Sequence, residues 1–220
     1  VTQPDAFPLR AVIFDFDGTL AHTLPICIEA FRRAAEPLTG RALSDAEIEA
    51  TFGPSEEGSV RVLAPGAHEA CLEAYVDHYE RLHDSVVEPF PGLVPLLREL
   101  ETRGVRLALV TGKGARSCEI SLRRVGLAGV FEHVETGCEH GPCKPEGLRR
   151  ILGHWGIPAS RVAYVGDSPK DVDDAHECGM VAVAAAWAES ARPDRLEDRR
   201  PDALFRTVEE FAVWLREKTM

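Results

Sequence analysis

Ala11-Val12-Ile13-Phe14-Asp15-Phe16-Asp17-Gly18-Thr19-Leu20 decides how the rest of the chain is read. Four apolar residues in unbroken succession, stopped by an aspartate, predict a strand buried on both faces, as in a parallel sheet. Asp15 then stands at the strand's carboxyl end, and Asp17 is expected on the same side one pleat period later. In open α/β sheets that edge is where ligands bind. Gly18 and Thr19 turn the chain. Two carboxylates this close repel each other and lose solvation unless a cation or a reaction uses them. The plainer alternative is a surface pair of aspartates at a helix start.

A second acidic run of the same construction favours chemistry. Arg161-Val162-Ala163-Tyr164-Val165 is strand-like and ends in Gly166-Asp167-Ser168-Pro169-Lys170-Asp171. Ser168 suits a helix N-cap and Pro169 the first turn, so Asp167 falls at a strand end and Asp171 one helical turn further on. A third strand-like run, Val105–Val110, is followed by Thr111-Gly112-Lys113-Gly114. A hydroxyl and glycines at a helix start make a small anion cradle, with Thr111 and Gly112 as its candidate residues. Lys144 lies in Gly141-Pro142-Cys143-Lys144-Pro145, where the prolines stiffen the loop into a frame for a positioned charge. An ordinary solvated lysine is the alternative there.

Carboxylate oxygens suit Mg²⁺, which takes one or two carboxylates and keeps waters and substrate phosphate as its other ligands. Three aspartates would repel a phosphate, so the metal and Lys144 are needed to admit it. The chemistry that fits is phosphoryl transfer to an aspartate nucleophile, with a second carboxylate as general acid and base.

DFDGTL, the Thr111-Gly112 strand end, Lys144-Pro145 and GDSPKD occur in that order and resemble the four motifs of the haloacid dehalogenase superfamily. Phe90-Pro91-Gly92-Leu93, ahead of a helix, is similar to its phosphoglycolate phosphatase and β-phosphoglucomutase-like branch. The resemblance implies a Rossmann-like parallel sheet flanked by helices, with an inserted α-helical cap, and a Mg²⁺-dependent phosphatase acting on a small phosphorylated metabolite. It implies Asp15 as nucleophile and Asp17 as acid and base. Magnesium would be held by the Asp15 carboxylate, the Asp17 main-chain carbonyl and Asp167. Asp171 would orient Lys144 or a metal-bound water, Thr111 and Gly112 would bind phosphoryl oxygens, and Lys144 would neutralise charge. Asp17 separates this chain from dehalogenases, which carry no aspartate there. A phosphomutase using the same residues stays open, whereas a catalytically silent binding module would have lost a motif residue. His22 stands where an aspartate is common in phosphoglycolate phosphatase relatives, so glycolate specificity is not implied.

Residues 24–88 carry helical periodicity and no strand-like run, with Ser44 and Glu47 spaced as a capping box. The expected domains are therefore a core of residues 1–22 and 89–220 and a helical cap of 23–88. The cap's substrate-facing part is expected at Phe52-Gly53-Pro54-Ser55-Glu56; a purely stabilising helical subdomain is the alternative. Further strands are expected at Phe131–Thr136 and Val181–Ala186, helices at Ala115–Val125 and Thr207–Lys218, and an exposed loop at Glu189–Asp202.

A net charge of −11 over 220 residues, with no basic cluster, argues against a nucleic-acid partner. No apolar run is long enough to span a membrane, and Val1-Thr2-Gln3-Pro4-Asp5 lacks the features of a signal peptide. A cytoplasmic monomer or homodimer is expected, its six cysteines reduced. Cys27, Cys71, Cys118 and Cys178 fall in helix-like stretches as small core residues. Cys138, His140 and Cys143 invite a zinc reading but lack a fourth ligand.

Overall fold

The computed structural model describes residues 8–86 and 88–219. Within them, strands β1 (Ala11–Phe14), β2 (Arg106–Val110), β3 (His133–Glu135), β4 (Val162–Gly166), β5 (Val181–Ala185) and β6 (Ala203–Phe205) form one sheet in the order β3-β2-β1-β4-β5-β6. Every neighbouring pair is parallel. The unbroken apolar runs follow from this, because both faces of the sheet are covered. Val12, Phe14, Leu107, Leu109 and Val165 pack on one face against α5 (Leu93–Thr102), α6 (Ala115–Arg124) and α10 (Val208–Lys218). Their pleat alternates Ala11, Ile13, Ala108, Val110 and Tyr164 pack on the other against α7 (Lys144–Trp155) and α8 (Pro169–Glu177). Phe14 is fully buried, edge-on to Phe211 at 6.2 Å between centroids. Truncating such an aromatic typically costs about 3–5 kcal/mol.

Between β1 and α5 the chain forms four helices, α1 (Leu24–Thr39), α2 (Asp45–Glu49), α3 (Glu56–Leu63) and α4 (His68–Val86). They bury their own cluster, in which the tilted rings of Phe31 and Tyr75 meet at 4.2 Å between centroids. Ser44 and Glu47 form the reciprocal capping box that starts α2. This helical unit docks on α6 through the Tyr79 hydroxyl and Ser121 Oγ at 2.8 Å, flanked by the ion pairs Arg116–Glu73 and Arg123–Glu80.

Three segments differ from the sequence expectation. Residues 189–202 are not all exposed loop: α9 (Pro193–Glu197) forms there and buries Leu196 completely. β6 was not expected, since three residues are too few to show a period. The strand after α6 is also shorter than Phe131–Thr136, reaching only from His133 to Glu135. No helix among the described residues is long and apolar enough to cross a membrane.

Candidate active site

The strand order reverses at β1, which has β2 on one side and β4 on the other. Such a reversal opens a crevice beyond the carboxyl ends of the flanking strands. Asp15, Thr111 and Asp167 are the first residues past β1, β2 and β4, so three chain segments deliver them to one edge. Backbone pairing holds them there. Asp15 N–H donates to the Val165 carbonyl at 2.9 Å, and Thr111 N–H to that of Glu135 at 3.0 Å. A cavity of about 500 Å³ lies over this edge, lined on the sheet side by Asp15, Asp17, Thr111, Gly112, Lys144 and Asp167. The helical unit supplies the facing wall through Leu24, Phe31, Phe52, Gly53 and Tyr75.

Asp17 does not arrive by a continued pleat. β1 stops at Phe14, the chain bends at Phe16, and a turn starting at Gly18 returns it to Ala21. Gly18 has φ 71°, and a Cβ there would overlap the Asp167 carboxylate. Glycine is required both for the conformation and for the close approach. Gly112 is different. Its φ is not positive and a Cβ would meet nothing within 4 Å, so neither strain nor space demands a glycine. Lys144 is not in a loop but opens α7, with Pro145 in the first turn.

Lys144 Nζ joins two carboxylates, Asp15 Oδ2 at 2.8 Å and Asp171 Oδ1 at 2.7 Å. Asp15 Oδ1 accepts from the Phe16 N–H at 2.7 Å. Asp171 Oδ1 also accepts from the Tyr164 hydroxyl at 2.8 Å. Its Oδ2 accepts from the Ser168 N–H at 3.1 Å and the Ser168 hydroxyl at 2.6 Å, closing the capping box that starts α8. Those bonds fill the roughly four acceptor positions of a carboxylate, so Asp171 holds Lys144 and Ser168 rather than facing the cavity. Asp167 is the opposite case: among the described residues its carboxylate has no hydrogen-bond or ion-pair partner.

The charges respond accordingly. Burial, reinforced by Asp171 and Asp17 and opposed by Lys144, pushes Asp15 up from 3.8 to about 6. Burial and the neighbouring Asp15 and Asp171 raise Asp167 well above the carboxylate range. Burial also penalises the charge of Asp171, but Lys144 and the bonds from Ser168 and Tyr164 outweigh it and hold this carboxyl low. Desolvation penalises the charge of Lys144 as well, but Asp15 and Asp171 more than compensate, so its pKa lies well above the ordinary value. Oxygens of Asp15, Asp167 and Asp171 lie within 4.8 Å of one another, the only such group among the described residues. Two crowded carboxylates on a cavity, both reluctant to ionise, are what a hard divalent cation would relieve.

The haloacid dehalogenase-like hydrolase family matches residues 12–185. This chain belongs to the haloacid dehalogenase-like hydrolases. It is 31% identical over 206 residues to phosphoglycolate phosphatase of Synechococcus elongatus, covering 90% of this chain and 93% of that one. With pyrophosphatase PpaX of Bacillus mycoides it shares 25% over 205 residues, covering 89% and 95%. Among solved structures, CbbY of Rhodobacter sphaeroides in complex with phosphate shares the fold, with TM-score 0.75 and 21% identity over 90% and 94% of the chains.

Sequence reasoning passed over several residues of this hydrolase's site. Lys113, read only as part of the glycine cradle, is 3% exposed, and its Nζ stands 3.0 Å from Asp17 Oδ1. It also lies 4.5 Å from the Tyr79 ring centroid and 3.4 Å from Cys27 Sγ, tying the sheet edge to the helical unit. Thr23 donates to the same Asp17 oxygen. A lysine three residues past the end of a buried strand was the available signal. Of the loop Phe52–Glu56, Phe52, Gly53 and Glu56 line the cavity. Glu56 accepts from the Gly114 N–H and the Ser117 hydroxyl, so this carboxylate from the helical unit caps α6. Cys138 and Cys143 donate instead to the backbone carbonyls of Gly141 and Thr136, and His140 is 85% exposed in its side chain. Cys138, His140 and Cys143 therefore do not gather into a zinc site.

Proposed function

We propose that this hydrolase is a Mg²⁺-dependent phosphatase that cleaves a small phosphomonoester through an aspartyl phosphate on Asp15. The observation that carries the reading is the position of Asp15: buried at the floor of the cavity, bonded to Lys144, and sharing an edge with the unpartnered Asp167. The metal would be held by the carboxylates of Asp15 and Asp167 and the main-chain carbonyl of Asp17. When bound, it supplies electrostatic stabilisation to the phosphoryl oxygens and keeps Asp15 ionised.

Every other role falls to the chain. Asp15 forms a bond to phosphorus while the bond to the leaving alcohol breaks. Asp17 is held by Thr23 and Lys113 through Oδ1, which leaves Oδ2 to pass its proton to the departing oxygen. The same oxygen then takes a proton from the water that attacks the acyl phosphate, returning both aspartates to their starting states. The Thr111 hydroxyl and the backbone at Gly112 bind phosphoryl oxygens, and Lys144 neutralises charge that would otherwise build up between Asp15 and phosphate. Asp171 keeps Lys144 aligned. Residues 23–88 act as a cap over a core of 1–22 and 89–220, excluding bulk water from the acyl phosphate. The relatives' names, phosphoglycolate phosphatase and pyrophosphatase, support the reaction class.

Hydrolysis of a generic aryl phosphate with Mg²⁺, repeated in EDTA and with Asp15→Asn, tests the proposal. Activity is expected only in the metal-loaded wild type. Turnover in EDTA, or within ~10-fold of wild type for Asp15→Asn, would overturn it.

A further inference from the structure

The cavity's lining is of two kinds, acidic and apolar. Five carboxylates line it, Asp15, Asp17, Glu56, Asp167 and Asp174, against three lysines. Each lysine already has an acidic partner: Lys113 with Asp17, Lys144 with Asp15, and Lys170 with Asp174. No arginine lines the cavity among the described residues. A divalent cation and a phosphomonoester dianion cancel each other and leave this balance as it stands. A second anionic group on the substrate would therefore face more acids than lysines, with every lysine already paired. In a partly desolvated cavity that is a heavy penalty.

The rest of the lining is largely apolar. Leu24, Cys27, Phe31, Phe52 and Tyr75 of the helical unit contribute to it, with Pro142. Burial pushes the Cys27 thiol up to about 12, so it is neutral there. Glu56, the carboxylate on this side, is engaged by Gly114, Ser117 and Tyr75. Lys113, 3.4 Å from Cys27 Sγ, is already held by Asp17, so the apolar lining offers neither a free cation for an acid nor a free carboxylate for an amine. A volume of about 500 Å³ also exceeds what phosphate and a two-carbon acid would fill.

We infer that the leaving group of the natural substrate is uncharged and apolar, an alkyl or aryl alcohol that packs against Phe31, Phe52 and Leu24. This rests on the phosphatase reading and narrows it. It sets the chain apart from relatives whose names specify an acid or a diphosphate, although the reacting edge is of the same kind. A buried methylene typically discriminates by about 10-fold or more, which sets the expected scale.

The experiment compares kcat/KM, with Mg²⁺ saturating, for hexyl phosphate, phosphoglycolate, inorganic pyrophosphate and phosphocholine. Hexyl phosphate and phosphoglycolate both release an alkyl alcohol, so their ratio reports binding of the distal end more than leaving-group chemistry. Hexyl phosphate should exceed each of the others by ~10-fold or more. As a check that does not depend on turnover of the four compounds, hexanol should inhibit aryl phosphate hydrolysis at lower concentration than glycolate does. The variant Phe52→Arg, at a partly exposed position, should shift the hexyl-to-glycolate ratio toward the acid by ~10-fold. Phosphoglycolate, pyrophosphate or phosphocholine outpacing hexyl phosphate would overturn the inference and leave the phosphatase reading standing. A ratio unmoved by Phe52→Arg would overturn it equally. Hydrolysis of none of the four, or of any aryl phosphate, would remove the phosphatase reading and the inference together.

Discussion

Lys144 stands between Asp15 and Asp171, its Nζ 2.8 Å from one carboxylate and 2.7 Å from the other, so one half-buried cation bridges the expected nucleophile and a second, buried acid. Removing that cation leaves buried carboxylates without compensation, which typically costs about 3–5 kcal/mol. Lys144→Met should lose activity by ~10²–10³-fold and unfold at lower urea than wild type. Lys144→Arg should recover much of the stability but less of the rate, because a planar fork cannot reproduce a point contact to both oxygens. Urea titrations alongside kcat measure the two effects separately. Equal loss of stability in both variants would contradict this reading of the site.

Asp167 and Asp171 should separate under a metal titration. Asp171 has filled its acceptor positions with Lys144, Tyr164 and Ser168, whereas Asp167 has no such partners. Asp167→Asn is expected to raise the Mg²⁺ concentration for half-maximal activity by ~10-fold or more. Asp171→Asn should lower kcat through a misplaced Lys144 and move the metal midpoint much less. The opposite order would make Asp171 the direct ligand.

Gly18 provides a test of geometry without touching a charge. At φ 71° and against the Asp167 carboxylate, Gly18→Ala meets both backbone strain and a clash. A loss of stability of about 1–3 kcal/mol is expected, together with weaker metal activation as Asp167 is displaced. Gly112→Ala, with open space around its Cα, should be nearly silent in stability. Differential scanning calorimetry of the two variants checks the contrast.

Asp15 also predicts a pH dependence in the metal-free chain. Its folded value of about 6 lies above the ordinary 3.8, so the folded state holds more protons between those limits. Its contribution to stability is present at low pH and is lost as pH rises through the folded value. From pH 5 to pH 7 that amounts to about 1 kcal/mol. His83, which burial lowers from 6.5 to about 4, acts with the opposite sign, favouring the folded state as pH rises through its own window. Comparison with Asp15→Asn in EDTA therefore isolates the carboxylate. Wild type should lose stability relative to the variant over this range, and saturating Mg²⁺ should abolish much of the loss. A relative gain would contradict the assigned environment.

Much of this arrangement is legible in the sequence because parallel strands announce themselves. Val12 and Phe14 pack on one face while Ala11 and Ile13 pack on the other, so no polar residue interrupts the run before Asp15. The same logic found the ends of β2 and β4, and with them Thr111 and Asp167. What the sequence could not supply is contact between elements distant along the chain. Lys113 becomes significant only when Asp17, Cys27 and Tyr79 fold around it. Tyr164 reads as a strand core residue until its hydroxyl meets Asp171. β6 and α9 are too short for periodicity to register, and Leu196 is buried only by the neighbours that α8 and β5 bring. Asp17 reaches its expected cavity through a bend at Phe16 that no pleat argument contains.

The most direct measurement is the mass of the enzyme itself during turnover. Asp17→Asn should still accept a phosphoryl group from an aryl phosphate, whose leaving group departs without a proton, and should hydrolyse the acyl phosphate slowly. Rapid acid quenching followed by peptide mass analysis is predicted to find one phosphoryl group on the peptide containing Asp15, absent in the Asp15→Asn, Asp17→Asn double variant. Phosphate released at a normal rate with Asp15 never modified, or a phosphoryl group on another residue, would contradict the account.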